Sequence, residues 1–208
     1  MISNSSDEYL TIKGSVRSKT KVEGSSFIAT AAFVNSEKSA DEWIQKISQE
    51  FFDATHNCFA WRTKNAMGES LKFGDAGEPR GTAGKPILSA IESENLYNVL
   101  VVVTRYFGGV KLGTGGLSRA YRQSAQSALQ KAEKIIDWIT SEIRLTYPIS
   151  MTGKVNQVFG KYRVWVLEND FGDCVTSKIQ VRNSLVETVK KALVEAASGQ
   201  VRFKERGL

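Results

Sequence analysis

Histidine and cysteine are scarce in this chain of 208 residues, which has one histidine and two cysteines. A single histidine, His56, excludes any metal site that needs two imidazoles. Cys58 and Cys174 are too far apart in the sequence to form a C-x-x-C metal motif or a disulfide framework. We therefore expect two reduced thiols and no bound metal.

Long apolar runs are also absent, and none approaches the roughly 18 residues that a membrane-spanning helix needs. The first eight residues, MISNSSDE, lack the basic start and the apolar stretch of a secretory signal. Hydrophobic residues make up 41% of the chain, which is enough to bury real cores. The sequence thus predicts a cytoplasmic protein of two domains without a membrane partner, and it indicates no oligomeric state.

The hydrophobic periodicity of the first two thirds predicts an α+β domain of residues 1–139. Residues rich in β-branched and aromatic side chains predict strands at 9–18, 27–34, 56–63 and 98–104. The last of these is apolar throughout, which is typical of a strand buried on both faces. Apolar residues at helical spacing predict helices at three places, after a serine cap at Ser36 or Ser39, at 87–93 and at 117–132.

Residues 140–208 repeat strand and helix patterns in a different order. Strands are predicted at 142–149, 163–169, 174–181 and 200–204, and helices at 151–162 and 184–198. The resulting order, β-α-β-β-α-β, is that of a ferredoxin-like domain.

Nine of the 17 glycines lie in two short stretches, 74–86 and 108–116, so their placement follows local backbone needs. Neither stretch has the glycine spacing of a P-loop or of a dinucleotide-binding fold, and we expect no cofactor. In the second stretch, exposed backbone N–H groups next to a helix N-terminus favour an anion-binding loop. Its glycines are Gly108, Gly109, Gly113, Gly115 and Gly116.

The same region is basic, because Arg105, Lys111, Arg119 and Arg122 occur there without any carboxylate between them. Charge of this kind attracts an anionic partner, although a solvated helix face has the same composition. Tyr106 and Phe107 follow Arg105 directly and could stack on nucleic-acid bases. The alternative is that one ring covers the end of the sheet and that Arg105 pairs with Asp75 or Glu78.

One acid–base set can be assembled from the sequence, and it consists of His56, Asp75 and Glu78. If the strand of His56 meets the loop 74–86, a carboxylate there could orient the imidazole to activate water. No serine or cysteine stands out as a nucleophile. A structural, hydrogen-bonded histidine is the competing interpretation.

Two motifs resemble a known family. GDAGEPRGTAGKPIL at 74–88 and VVVTRYFGGVKLGTGGLSRAY at 101–121 are similar to the signature of the IMPACT family. SSFIATAAFV at 25–34 and ATHNCFAWR at 54–62 resemble its opening strand and its histidine-containing strand. The family usually has two aspartates before G-E-P, whereas Asp75 is followed here by Ala76.

The resemblance also implies a fold for each domain. It implies a first domain similar to that of a small-subunit ribosomal protein and to domain IV of elongation factor G. The ferredoxin-like tail resembles the second domain of the bacterial members and that factor's domain V. Eukaryotic members carry a further N-terminal domain for a protein partner, and we expect none here because the first predicted strand begins at residue 9.

Three functions follow from these features. The first is binding of RNA or the ribosome, with an influence on translation or its regulation. The second is a hydrolase that uses His56, Asp75 and Glu78, with peptides as a candidate class of substrate. The third is a protein-interaction module.

Overall fold

The computed structural model describes residues 7–204, which form a mixed α/β structure of two compact units. One unit contains Tyr9–Asp137, and the other contains Asp7, Glu8 and the described residues from Trp138 onward. The division falls between Asp137 and Trp138, whereas the sequence analysis places it after residue 139. In the described part of the chain, no helix is long and apolar enough to cross a membrane.

A five-stranded antiparallel sheet forms the centre of the first unit. Its spatial order is β2 (Ser15–Val22), β3 (Ser25–Phe33), β6 (Val99–Tyr106), β4 (His56–Asn65) and β5 (Gly68–Gly74). The central strand β6 is buried along its length up to Arg105, which confirms the prediction from its apolar run.

Helices cover both faces of this sheet, which explains why β6 has no polar alternation. Helix α1 (Glu37–Glu50) packs on the face that bears Leu100 and Val102. Helices α2 (Gly84–Ser93) and α3 (Gly113–Lys131) pack on the opposite face, against Val99, Val101 and Val103. Alternate residues of β6 therefore belong to two different cores, and both cores require apolar side chains.

Two element boundaries in this unit differ from the sequence prediction. The strand predicted at 9–18 is broken at Gly14, whose φ of +66° belongs to a turn. Its first half, β1 (Glu8–Ile12), pairs with β7 (Lys134–Trp138) instead of joining the larger sheet. Helix α3 begins at Gly113, four residues before the predicted start at Leu117, because its first turn consists of small residues without apolar periodicity.

The second unit has the β-α-β-β-α-β order expected of its sequence. Its elements are β8 (Thr140–Pro148), α4 (Thr152–Tyr162), β9 (Trp165–Phe171), β10 (Cys174–Arg182), α5 (Val186–Ala196) and β11 (Arg202–Lys204). The strands form an antiparallel sheet in the order β11-β8-β10-β9. The core beneath the two helices includes Tyr147, Phe159, Ile179 and Leu193.

Candidate functional site

A buried ion pair lies where the end of β6 meets the loop after β5. Arg105 Nη1 lies 2.6 Å from Glu78 Oε1, and the hydroxyl of Tyr121 donates to the same carboxylate oxygen at 2.8 Å. The Arg105 and Glu78 side chains are only 6% and 4% exposed. The ion pair between Arg105 and Glu78, which the sequence analysis gives as one alternative, is therefore present. The predicted phosphate contact of Arg105 does not fit this position, because a buried, paired guanidinium is not available to an external anion.

His56 lies next to this pair because it is the cross-strand neighbour of Arg105 in the sheet. Its Nδ1 lies 2.9 Å from the carbonyl oxygen of Ala76, so Nδ1 carries the proton and donates it. Its Nε2 then faces Glu78 Oε1 at 3.8 Å. The strand and the loop thus converge as the acid–base hypothesis requires, with Glu78 as the carboxylate that faces the imidazole.

Asp75 binds the start of α2 with its carboxylate. Its carboxylate accepts hydrogen bonds from the backbone N–H groups of Gly81, Ala83 and Gly84, at 2.7, 3.1 and 2.8 Å. Burial by itself raises the pKa of Asp75, but these three donors outweigh it and hold the pKa below its usual value. Asp75 therefore caps a helix, and a catalytic role of this set stays a prediction.

The thiol nearest to this cluster is not an activated nucleophile. Cys58 is buried on β4, and its Sγ donates to the carbonyl oxygen of Asp75 at 2.9 Å. Burial raises the pKa of Cys58 to about 12, so the thiol stays protonated at neutral pH. In the described part of the chain no group of three or more metal-ligating side chains is found either.

The two aromatic residues after Arg105 have different environments. The hydroxyl of Tyr106 donates to Asp53 Oδ1 at 2.8 Å, which ties this ring to the loop after α1. Phe107 is 47% exposed; its backbone N–H donates to Thr55 Oγ1 at 3.1 Å, and the Arg105 guanidinium lies 5.4 Å from its ring centroid. Phe107 is therefore the ring that is available for stacking.

The glycines of the predicted anion-binding loop fall into two groups. Gly108 packs against the turn at Gly24 and donates its N–H to Ser25 Oγ, and Gly109 has a φ of +87°. Gly113, Gly115 and Gly116 are not loop residues, because they form the first turn of α3. That turn has no side-chain cap and no acidic residue.

Three predicted basic residues lie just before α3 or on its first three turns and remain accessible. Lys111, Arg119 and Arg122 are exposed, and none of them forms an ion pair with any of residues 7–204. The guanidinium of Arg119 folds back over the first turn, since its Nη1 lies 3.6 Å from where a Cβ on Gly115 would be. Positive charge and free backbone N–H groups therefore meet at one end of α3.

A cleft of about 530 Å³ extends this basic surface between α2 and α3. Arg119 and Arg122 line it together with Lys85 and Phe73, two residues that the sequence analysis does not select. Lys85 could have been noticed as one of the two basic residues, with Arg80, of the first glycine-rich stretch. Phe73 carries no such signal, because its position beside α2 depends on how the helix packs.

The fold and this surface define a class: a two-unit α/β protein whose first unit carries an unpaired basic surface between two glycine-rich segments. The Impact N-terminal domain family model matches residues 23–129. The chain belongs to the IMPACT family, which confirms the resemblance seen in the two signature motifs.

Relatives match nearly the whole chain. An IMPACT family member from Haemophilus influenzae is 34% identical over 195 residues, covering 93% of this chain and 95% of that protein. YigZ from Escherichia coli is 28% identical over 185 residues, covering 88% and 90%. A solved crystal structure of a hypothetical protein is 26% identical, covers 97% of this chain and 99% of that chain, and superposes with a TM-score of 0.73.

Proposed function

We propose that this protein binds RNA in the cytoplasm, free or within the ribosome, and acts in translation or its regulation. The observation that carries the proposal is the set of exposed and unpaired cations just before α3 and on its first three turns, namely Lys111, Arg119 and Arg122. Cations without carboxylate partners keep their full attraction for phosphate, whereas paired ones must first break an ion pair.

The helix itself adds to this attraction. The first turn of α3, with Gly113, Gly115 and Gly116, leaves its N–H groups without a side-chain acceptor, and the partial positive charge of the helix N-terminus favours a phosphate there. Helix α1, in contrast, is capped by Ser36, and the N–H groups at the start of α2 bind Asp75. Phe107 provides an exposed ring beside this end of the sheet for stacking on a base.

The expected likeness of the two units to a ribosomal protein domain and to domains IV and V of elongation factor G belongs to this proposal. It agrees with the charge argument but rests on fold analogy, which by itself identifies no ligand. The unpaired cations supply the site-specific support.

The test is a salt titration of binding to purified ribosomes and to single-stranded RNA. The double variant Arg119→Gln/Arg122→Gln should weaken binding and reduce the slope of log K against log salt by about 1.4, or about 0.7 for each lost contact. The matched control, Lys38→Gln/Lys46→Gln, removes the same charge from α1 on the opposite face of the sheet. It should leave the slope unchanged.

Equal slopes for the two double variants would overturn the proposal. Capture of a protein partner that survives both nuclease and high salt would favour the interaction-module alternative. For the hydrolase alternative, a substrate panel compared between wild type and His56→Ala gives the answer, since equal turnover would reject a role for the imidazole.

A further inference from the structure

The cleft between α2 and α3 is lined by both apolar and basic side chains. Phe73, Pro86 and Leu88 supply apolar surface, while three basic residues also line it, namely Lys85, Arg119 and Arg122. Its volume of about 530 Å³ lies within the range of small-molecule sites. A ligand that fits must therefore carry both an apolar or aromatic part and a negative charge.

The charge of the cleft is not neutralised internally. Glu92 is the single acidic residue that lines it, and neither Glu92 nor any of the three basic residues forms an ion pair with any of residues 7–204. The backbone N–H groups at the start of α2 are already bound to Asp75. An anion in the cleft would consequently be held by side chains, which explains how it could bind phosphate without a P-loop.

The aromatic residue of the cleft has the exposure of a stacking platform. Phe73 is at the end of β5, and its side chain remains 39% exposed although it borders the packed helix α2. Stacking on an exposed aromatic ring favours a nucleobase and does not depend strongly on which base it is. Ser89 and Ser118 add hydroxyl groups that can bond to ribose or to a base edge.

We propose that this cleft binds a ribonucleoside monophosphate unit, either as a free nucleotide or as an unstacked nucleotide of an RNA chain. The base stacks on Phe73, and the phosphate is bound by Lys85, Arg119 and Arg122. The RNA form rests on the proposed function above, because it places one nucleotide of the bound RNA in the cleft. The free-nucleotide form stands independently of it.

Calorimetric titrations of the full chain with adenosine monophosphate, uridine monophosphate and inorganic phosphate test the site. Phe73→Ala should weaken both nucleotides at least about fivefold and leave phosphate unchanged, since only stacking is removed. Arg122→Gln should weaken all three probes. Phe52→Ala, which removes an exposed ring that does not line the cleft, is the matched control and should change nothing.

A further variant, Phe73→Trp, places a fluorophore in the cleft, and nucleotides should quench its emission. Competition by a single-stranded oligoribonucleotide identifies the RNA form, and saturation by free nucleotide without such competition identifies the free form. The inference is overturned if wild type binds the nucleotides no more tightly than phosphate, or if Phe73→Ala binds them normally. If the titrations show no nucleotide site in the cleft but the salt slope changes as expected, the inference about the cleft fails and RNA binding is retained. If nucleotides bind in the cleft but the salt slope does not change, RNA binding fails and the nucleotide site is retained.

Discussion

The ion pair of Arg105 and Glu78 is almost completely removed from solvent, so water cannot solvate either charge if its partner is lost. We expect Glu78→Gln to lower the free energy of unfolding of this unit by about 3 kcal/mol, because the Arg105 charge stays buried without its counter-charge. Chemical denaturation measures this loss. Glu133→Gln, which removes a partner from the exposed pair with Lys13, is the control, and equal losses in the two variants would contradict the argument.

The two cysteines should differ sharply in reactivity. Cys58 is buried with a pKa raised to about 12, whereas Cys174 is exposed. At pH 8 a colorimetric thiol reagent should therefore modify one thiol quickly in the native protein and the second only after unfolding. Cys174→Ser should abolish the fast phase, and two fast thiols would show that Cys58 is accessible.

Asp75 gives a pH dependence whose direction follows from its lowered pKa. Because the folded pKa is below the unfolded one, the ionised carboxylate stabilises the fold at pH values above the unfolded pKa of about 3.9. That stabilisation is lost as the pH falls through the folded pKa. Asp75→Asn should thus cost about 1–2 kcal/mol at pH 7, and the difference from wild type should shrink below about pH 4. A difference independent of pH would contradict a role for the charge.

At the scale of the elements, two glycines of one signature motif, Gly108 and Gly115, differ in how much space surrounds them. A Cβ on Gly108 would lie 1.9 Å from the carbonyl carbon of Gly24, whereas one on Gly115 meets nothing closer than 3.6 Å. Gly108→Ala should therefore lower stability by about 1–3 kcal/mol through overpacking. Gly115→Ala should raise it by about 0.5–1 kcal/mol through better helix propensity. Thermal unfolding measures both, and changes of the same sign would refute the distinction.

Hydrophobic periodicity predicts most helices and strands here because the spacing of their apolar residues follows the face that each element buries. The buried strand β6 is an example. Periodicity fails at Gly14, where a single glycine turns one predicted strand into two strands with different partners. It also fails at the start of α3, whose glycines have poor helix propensity and become helical within the folded unit.

Of the charged and aromatic residues that line the cleft between α2 and α3, the sequence selects only the two that lie close together in one motif. Arg119 and Arg122 are one helical turn apart, so the sequence alone places them on neighbouring positions of one helix. The meeting of Lys85 and Phe73 with that helix depends on the packing of α2 against α3 and on where β5 ends. No local pattern encodes such a tertiary contact.

At the scale of the whole molecule, each unit has a hydrophobic core of its own. Leu129 is fully buried in the core shared by α2, α3 and the five-stranded sheet. Leu193 is fully buried in the core beneath α4 and α5. Since a cavity removes contacts from the residues around it, its first effect falls on the unit that contains it.

We therefore expect Leu193→Ala and Leu129→Ala to destabilise different parts of the chain. Each should cost about 2–5 kcal/mol, and amide hydrogen exchange followed by mass spectrometry locates the loss. Leu193→Ala should speed exchange in α4, α5 and β10 while β6 keeps its protection, and Leu129→Ala should do the opposite. Equal loss of protection in both units for either variant would mean that the two cores unfold as one cooperative structure.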